Sequence, residues 1–396
     1  MSDSFITDLD AAETTVVAGH LAPQALAKAT RRAVTRALAE DLGDRGDLTS
    51  RATVPASLLG EAEIVARAPG VISGLAAVVE TFAAVDPRIE VEVHVADGDR
   101  VIEDQVIAVV TGPMRALLAG ERTALNFLGH LSGVATATAN LQDLIEGTGC
   151  TIRDTRKTTP GLRLLEKAAV MDGGGGNHRL GLYDAILVKE NHIVAAGDVK
   201  TAVENLRRAN PAVAVQIEVE SVEQIWQLLE LDITDILLDN FSVEQVRHAA
   251  SRVDGRAHLE VSGNLDADSV RAYAEAVGPG GRLAVGAITH SALQLDVALD
   301  VVETRPGNPL ARLSRSQAPS PADADTAQSR DLFGGPSQGA SVDGLAAPAA
   351  DGTDGADDTG RGSSVGEVWG ELSADDGARA SSWRSSPFRH RRQRGD

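Results

Sequence analysis

Short apolar runs recur at regular intervals in the second half of the chain. Six of them begin near residues 150, 185, 215, 235, 258 and 282, and helix-patterned stretches lie between them. Strands that are almost continuously apolar and alternate with helices are typical of a parallel sheet covered by helices. Six such units between residues 131 and 287 favour an open, incomplete α/β barrel over a complete eightfold one. The runs are CTIRD, AILVK, VQIEVE, DILLDN, HLEVSG and RLAVG.

A different pattern covers residues 21–130. Residues 22–43 have the spacing of an amphipathic helix that ends at Gly43. Residues 91–112 read as short strands joined by Asp-Gly turns. This part of the chain is therefore predicted to form a separate domain that mixes helices with strands.

The two ends of the chain lack either pattern. Residues 1–20 are polar and acidic, and we expect a loose leader. Residues 307–396 are dominated by Ser, Pro, Ala, Gly and Asp and cannot bury enough apolar surface to offset the entropy of ordering, so we predict a disordered tail. The tail ends in a basic segment, residues 381–396, for which a solvated tail is favoured over contact with nucleic acid or a partner.

Composition and charge restrict the setting of the 396-residue chain. Its one cysteine, Cys150, excludes an intrachain disulfide and fits a reducing, cytoplasmic environment. The N-terminus has neither the basic nor the apolar region of a signal peptide, and no stretch approaches the ~18 apolar residues of a membrane span. A formal net charge of −20 argues against nonspecific binding to nucleic acid, because the phosphates would be repelled.

Polar residues follow the predicted barrel strands where each strand ends. Active sites of α/β barrels lie at the carboxyl ends of the strands, so these residues are expected to share one mouth. The strand ends supply Asp154 to Lys157, Lys189, Glu218 and Glu220, Asp239 and Asn240, Ser262 to Asn264, and Gly286 with Ala287.

The charges in the expected mouth sort by sign. Arg156, Lys157, Arg179 and Lys189 come first along the chain, and cations in a concave site bind carboxylate or phosphate. Two later carboxylates, on Glu218 and Asp239, are suited to Mg²⁺ or sugar hydroxyls, and the glycine turns after them to phosphate. The mouth is therefore predicted to bind a phosphorylated sugar, a metal and a second anionic molecule.

Four glycines, residues 173–176, precede His178 and Arg179. Their position between two strand units favours a loop packed close to ligand over a flexible linker. His192 and His290 are interpreted as polar residues that orient backbone. The sequence contains no Cys/His cluster typical of zinc, no G-x-S-x-G motif and no Walker-type phosphate loop.

Eight segments in a fixed order resemble the quinolinate phosphoribosyltransferase family. The resemblance covers roughly residues 25–305, and its longest blocks are DTRKTTPGLRLLEKAAV and GGGGNHRLGLYDAILVKENH. The other segments are EDLGDRGDLTS (40–50), GERTALNFLGHLSGVAT (120–136), IEVE (217–220), ILLDN (236–240), EVSGN (260–264) and VGAITHSA (285–292).

The resemblance implies a two-domain subunit and a reaction. Residues 21–130 would form an α/β sandwich, joined by a C-terminal helix over residues 288–306, and residues 131–287 would form the open α/β barrel. The implied reaction converts quinolinate and phosphoribosyl pyrophosphate to nicotinate mononucleotide, carbon dioxide and pyrophosphate, with Mg²⁺, in the de novo synthesis of NAD.

The family's site residues carry over by position. The expected catalytic residues are Lys157, Lys189, Glu218 and Asp239, and the last two would also hold Mg²⁺, directly or indirectly. Arg122 would reach the site of a neighbouring subunit in a homodimer or a higher assembly of dimers. The quinolinate and pyrophosphate region would comprise Arg122, Thr155, Arg156, Lys157, His178, Arg179 and Lys189, and the 5′-phosphate would lie on Ser262, Gly263, Asn264, Val285, Gly286 and Ala287.

Two alternatives remain open at this point. A related phosphoribosyltransferase could use nicotinate or the substrate of the molybdenum-transport-associated paralogues. An acceptor with a single carboxylate would need fewer cations, so the basic set favours quinolinate. A carrier module is suggested by residues 91–112, but the turn at residues 97–100 lacks the lysine that a swinging arm needs.

Overall fold

A computed structural model describes residues 21–209 and 213–306. The predicted loose leader, residues 1–20, and the predicted disordered tail, residues 307–396, lie outside the described residues. No helix in the described ranges is long and apolar enough to cross a membrane.

Residues 21–144 form four helices and five strands. They are α1 (Pro23–Leu42), α2 (Leu48–Thr53), β1 (Leu58–Ala66), β2 (Gly70–Val71), α3 (Leu75–Val85), β3 (Glu90–Val93), β4 (Arg100–Val101), β5 (Val106–Pro113) and α4 (Met114–Leu144). The predicted amphipathic helix that ends at Gly43 is α1.

The second part alternates strands and helices and then closes on a final strand. Its elements are β6 (Thr151–Arg153), α5 (Arg163–Asp172), β7 (Ile186–Val188), α6 (Glu190–Ala196), α7 (Val199–Ala209), β8 (Val215–Val219), α8 (Val222–Glu230), β9 (Asp235–Asp239), α9 (Val243–Val253), β10 (His258–Ser262), α10 (Val270–Val277), β11 (Arg282–Ala284), α11 (Ala287–His290) and β12 (Val297–Pro306).

The N-terminal domain is built on a four-stranded antiparallel sheet in the order β12-β1-β5-β3. Alternate residues of β1 and β5, such as Ile64 and Val110, are fully buried in a core shared with Phe82 of α3 and Leu117 of α4. Since α3 and α4 pack against this sheet, the domain is a sandwich of one sheet layer and one helix layer.

The six predicted barrel strands form one parallel sheet in the order β6-β11-β10-β9-β8-β7. Strands β6 and β7 are the two edges and do not pair with each other, so the barrel is open, as predicted. The strand residues that face the helices are Ile, Leu and Val, including Ile217, Ile236 and Leu238, all fully buried.

The predicted C-terminal helix over residues 288–306 is wrong for most of its length. Helix α11 ends at His290, and residues Val297–Pro306 form strand β12, which pairs antiparallel with β1. Leu295, Val297, Leu299 and Val301 alternate with other residues, a period of two that is typical of a strand. The chain thus returns to the N-terminal domain as an edge strand.

One helix runs through the predicted boundary between residues 130 and 131. Helix α4 is a continuous element of the fold whose first half packs in the N-terminal core and whose second half packs against the barrel. The returning chain crosses this helix closely: Leu295 N–H donates to Gly129 O at 2.9 Å, and a Cβ on Gly133 would collide with the carbonyl oxygen of Leu293. The two domains therefore share a structural element.

Candidate active site

An ion pair links the carboxyl ends of two neighbouring strands. Lys189 follows β7, and its Nζ donates to Oε2 of Glu218 on β8 at 2.5 Å. The lysine side chain is 48% exposed and the glutamate side chain 13% exposed, so the pair lies at the mouth with the ammonium group facing solvent. His192 accepts the Lys189 N–H on Nδ1 at 3.0 Å, which confirms that this histidine orients backbone.

The next two strands end in left-handed backbone. Asn240, directly after Asp239, has φ of 57°, and Gly263 and Asn264 after β10 have φ of 110° and 50°. Asn240 Nδ2 donates to Oδ2 of Asp239 at 2.9 Å, and a Cβ on Gly263 would collide with the Asn240 side chain. Backbone held in this region is found preferentially at functional sites. These contacts fix the Asp239 carboxylate beside the turn formed by Ser262, Gly263 and Asn264.

Lys157 reaches the last barrel strand. A Cβ on Gly286 would lie 3.0 Å from Lys157 Cδ, so the lysine stem lies across the glycine at the start of α11. Thr289 Oγ1 donates to Lys157 O at 2.8 Å, and Thr155 Oγ1 accepts the Lys157 N–H at 3.0 Å. The Thr155–Lys157 turn is thereby joined to Val285, Gly286 and Ala287, where Val285 is buried and Ala287 exposed.

Arg156 and Arg179 are cations close enough to affect each other. Burial, followed by the charge of Arg156, lowers the pKa of Arg179. Nη1 of Arg179 donates to Ala185 O at 3.3 Å, but its buried Nε has no hydrogen-bond partner among the described residues. A guanidinium group with an unused donor beside a second cation is suited to an anion with two acidic groups.

His178 was predicted to line the substrate region, but the structure turns its ring inward. The residue is 8% exposed, its Nδ1 accepts the Arg179 N–H at 2.9 Å, and Nε2 lies 2.9 Å from Gln216 Oε1. Since Nδ1 is an acceptor, the proton lies on Nε2 and is donated to Gln216. Burial lowers the pKa of His178, which favours this neutral form. In this structure the ring therefore bonds the Arg179 backbone through Nδ1 and the barrel strand β8 through Nε2.

Below the mouth, the barrel interior is polar. Glu260 of β10 is fully buried and accepts from Arg153 of β6 at 2.7 Å and from Gln216 of β8 at 3.1 Å. Arg282 of β11 binds Asp235 of β9. The sequence analysis missed this network, although each residue is a polar interruption of an apolar strand, which is the signal that could have revealed it.

Two of the four glycines pack against α4. A Cβ on Gly173 would collide with the carbonyl oxygen of Ala135, and one on Gly175 would lie 2.6 Å from Cγ2 of Thr138. Both neighbours belong to α4. Gly173 and Gly175 thus allow the close approach of this loop to α4, just before His178 and Arg179.

Arg122 lies away from these groups. It is an exposed residue of α4 that lines a concavity of about 680 Å³ together with Arg36, His130 and residues 159–162. The residues that line this concavity do not include Lys189, Glu218 or Asp239. Within one chain, the structure thus does not bring Arg122 together with the barrel mouth.

The fold and the mouth define a class of protein: an open α/β-barrel enzyme joined to an α/β sandwich domain, with cations and two carboxylates at the carboxyl ends of its strands. The quinolinate phosphoribosyl transferase N-terminal domain matches residues 47–132, and the C-terminal domain of the same family matches residues 134–300. The chain belongs to the quinolinate phosphoribosyltransferase family.

Individual relatives agree with this assignment. The nicotinate-nucleotide pyrophosphorylase [carboxylating] of Mycobacterium leprae is 45% identical over 281 residues, which is 69% of this chain and 97% of the relative. A probable enzyme of the same name from Bacillus subtilis is 40% identical over 66% of this chain and 90% of its own. The solved nicotinate-nucleotide pyrophosphorylase of Francisella tularensis superimposes with a TM-score of 0.66 at 36% identity, covering 70% of this chain and 97% of that structure.

Proposed function

We propose that this chain catalyses the reaction for which its relatives are named, as a carboxylating nicotinate-nucleotide pyrophosphorylase. Quinolinate and phosphoribosyl pyrophosphate would give nicotinate mononucleotide, carbon dioxide and pyrophosphate, a step in the de novo synthesis of NAD. The observation that carries the proposal is the collection of Arg156, Lys157, Lys189, Glu218 and Asp239 directly after the barrel strands, with Lys189 paired to Glu218 and Arg156 close to Arg179. Quinolinate is a dianion and its co-substrate a polyanion, so both fit a basic mouth.

The roles of the residues follow from their positions. Arg156 and Arg179 bind the two carboxylates of quinolinate, and Lys157 and Lys189 neutralise charge on the pyrophosphate as it leaves. Glu218 and Asp239 face the ribose, where their negative charge stabilises the oxocarbenium-like transition state at the anomeric carbon. The turns at Ser262–Asn264 and Val285–Ala287 hold the 5′-phosphate, and in the second turn the donors are the N–H groups after Val285, whose own N–H donates to Arg153 O.

Decarboxylation needs orientation of the leaving carboxylate and a proton for C2. Once the ring nitrogen carries the ribose, it is positive, and loss of the adjacent carboxylate as carbon dioxide leaves an electron pair on C2 next to that charge. This carbon then takes up a proton, from water or a side chain, to give nicotinate mononucleotide. The chain must hold the carboxylate in position and limit the access of bulk water, and half-buried Arg179 is placed for both.

Magnesium fits the donor set of the mouth. In residues 21–209 and 213–306 no three His, Cys, Asp or Glu side chains are grouped as a metal cage. Two carboxylates, Glu218 and Asp239, together with substrate phosphates form the kind of site that Mg²⁺ prefers. The metal would supply charge neutralisation on the pyrophosphate, and Glu218 and Asp239 would orient it directly or indirectly.

The assembly and location are also part of the proposal. Arg122 would enter the mouth of a second subunit across a two-fold axis, which agrees with its exposed position outside its own mouth. The one cysteine, Cys150, is buried and free, which supports a cytoplasmic enzyme.

A product assay tests the proposed reaction. The full chain is given phosphoribosyl pyrophosphate, Mg²⁺ and either quinolinate labelled in its C2 carboxylate or nicotinate. Labelled carbon dioxide and nicotinate mononucleotide are expected in the reaction with quinolinate, and no product is expected in the reaction with nicotinate. Turnover with nicotinate and none with quinolinate would contradict the proposal.

A further inference from the structure

Two adjacent charged residues of α5, Glu166 and Lys167, are completely buried. Neither belongs to the mouth. Charged side chains are rarely buried fully unless they are paired, and replacing a buried pair by apolar residues is often neutral or stabilising. The buried charges of Glu166 and Lys167 are therefore expected to serve a role other than stabilising the fold.

Lys167 holds the loop that carries Arg179. Its Nζ donates to Asp154 Oδ1 at 2.5 Å and to His178 O at 3.0 Å, and the same Asp154 oxygen accepts the His178 N–H at 2.8 Å. The Asn177 amide nitrogen, turned toward its acceptors, donates to Asp154 Oδ2 at 2.6 Å and to Lys167 O at 3.0 Å. Both peptide groups of His178 are thus fixed to an ion pair, and Arg179 follows directly.

Glu166 holds the other basic loop. Its Oε2 accepts the Thr159 N–H at 3.1 Å, and its Oε1 lies 2.8 Å from Nε2 of His130 on α4. Thr159 belongs to the loop between β6 and α5, which carries Arg156 and Lys157 near its start. One turn of α5 therefore contacts both cation-bearing loops, one through each charged side chain.

Burial disfavours the charged forms of the Asp154–Lys167 ion pair. Burial raises the pKa of Asp154 to about 6 and lowers the pKa of Lys167, although each partner counteracts the shift of the other. Such a pair contributes little net stability, but it restricts geometry, because both Asp154 oxygens and two of the three ammonium protons of Lys167 have fixed partners.

We propose that Glu166 and Lys167, with Asp154, are positioning residues that hold the Arg156–Lys157 loop and the Arg179 loop at the separation needed to bind the two carboxylates of the acceptor. This inference rests on the proposed function. A shift of about 1 Å between groups that bind one rigid molecule lowers catalytic efficiency by up to ~10²-fold.

The first test replaces the buried pair in the full chain by neutral residues of similar size, Lys167→Met with Asp154→Asn. The KM for quinolinate is expected to rise at least ~10-fold, since Arg179 is released. The KM for phosphoribosyl pyrophosphate is expected to change less than ~3-fold. Glu218, Asp239 and the phosphate turns lie at the ends of β8 to β11, and Lys157 stays held by Thr289 and Thr155. Amide hydrogen exchange over residues 177–180 should become faster in the variant.

Glu166 offers a conservative control. Glu166→Ala removes the acceptor for Thr159, and the KM for quinolinate should rise, whereas Glu166→Gln keeps an acceptor oxygen and should retain a KM within ~3-fold of the wild type. Leu117→Ala is the control for reduced stability. It creates a cavity in the N-terminal core and lowers the free energy of unfolding, as Glu166→Ala does, but it releases neither loop.

Each outcome decides the inference. It is overturned if the quinolinate KM is unchanged in the Lys167→Met/Asp154→Asn chain, or if Leu117→Ala raises that KM equally. A wild-type chain that does not convert quinolinate contradicts the proposed function instead. In that case hydrogen exchange decides whether α5 holds the two loops, and unchanged exchange over residues 177–180 overturns it.

Discussion

At the scale of single residues, the mouth separates groups that meet substrate from groups that hold them in place. Lys189 and Glu218 are paired yet partly exposed, so the pyrophosphate group of the incoming co-substrate can compete for the ammonium group. His178 and Gln216 are buried and hydrogen-bonded to each other, and His178 also accepts from the Arg179 N–H. The histidine of the family motif is therefore a support for Arg179 in this structure.

Arg156→Ala and Lys189→Ala are each expected to lower kcat/KM at least ~10²-fold, because each removes a charge-assisted contact of roughly 1.5–3 kcal/mol or more to a desolvated anion. Steady-state kinetics and a thermal melt of the purified proteins measure both effects. Lys200→Ala, at an exposed helix position, is the matched control. Turnover near that of the control would contradict the assignment of the basic mouth.

The cations at the strand ends could be predicted from sequence because parallel strands deliver their carboxyl ends to one edge. The direction in which a side chain points could not. The contact of His178 with Gln216 depends on packing between a loop and a strand that are distant in sequence. The same limit hid Glu166 and Lys167, whose partners lie on α4 and after β6.

At the scale of elements, the barrel strands were predicted correctly and the last element was not. The six apolar runs are strong signals because the central residues of each strand lie in the barrel core, even though polar residues such as Glu260 interrupt the interior face. The residues of β12 are mostly half-buried or exposed, so the apolar alternation of Val297, Leu299 and Val301 is a weaker signal. Only its pairing with β1 establishes the strand.

The role of β12 can be measured by two truncations. A chain that stops after Pro306 keeps all nine register pairs with β1 and is expected to retain its activity and thermal midpoint. A chain that stops after Asp296 loses the whole strand and exposes the edge of β1, so we expect a large loss of folded, soluble protein. Equal behaviour of the two truncations would show that β12 does not contribute to stability.

The carboxyl end of α5 is sensitive to pH. Burial, opposed by a hydrogen bond from Ser73 Oγ at 2.7 Å and assisted by the charge of Asp97, raises the pKa of Asp172 to about 6. The folded state then binds a proton more tightly than the unfolded state, so this group's stabilisation is present at low pH and is lost as pH rises from about 4 to about 6.

Asp172→Asn removes this loss, because the amide can still accept from Ser73. At pH 7.5 the free energy of unfolding of the variant should exceed that of the wild type by roughly 1–2 kcal/mol. This range is smaller than the pKa shift alone would give, because solvent still reaches the Asp172 side chain in part. Denaturant unfolding at pH 4.5 should show a smaller gain. A difference between variant and wild type that is the same at both pH values would show that Asp172 titrates normally.

At the scale of the whole molecule, one helix connects the N-terminal domain to the barrel. Helix α4 carries Arg122 on the N-terminal side and supports the glycine loop before Arg179 on the barrel side. Arg122 itself faces a concavity that excludes Lys189 and Glu218 of the same chain. A two-fold dimer would give each mouth one foreign arginine and would create two composite sites.

Complementation between two inactive variants tests this arrangement. Homodimers of Arg122→Ala and of Lys189→Ala should each be nearly inactive. After mixing and subunit exchange, half of the dimers are hybrids, in which one site carries both substitutions and the other carries neither. Activity should then return to about a quarter of the wild-type value. If exchange is confirmed with differently tagged chains and no activity returns, Arg122 does not act across a subunit interface.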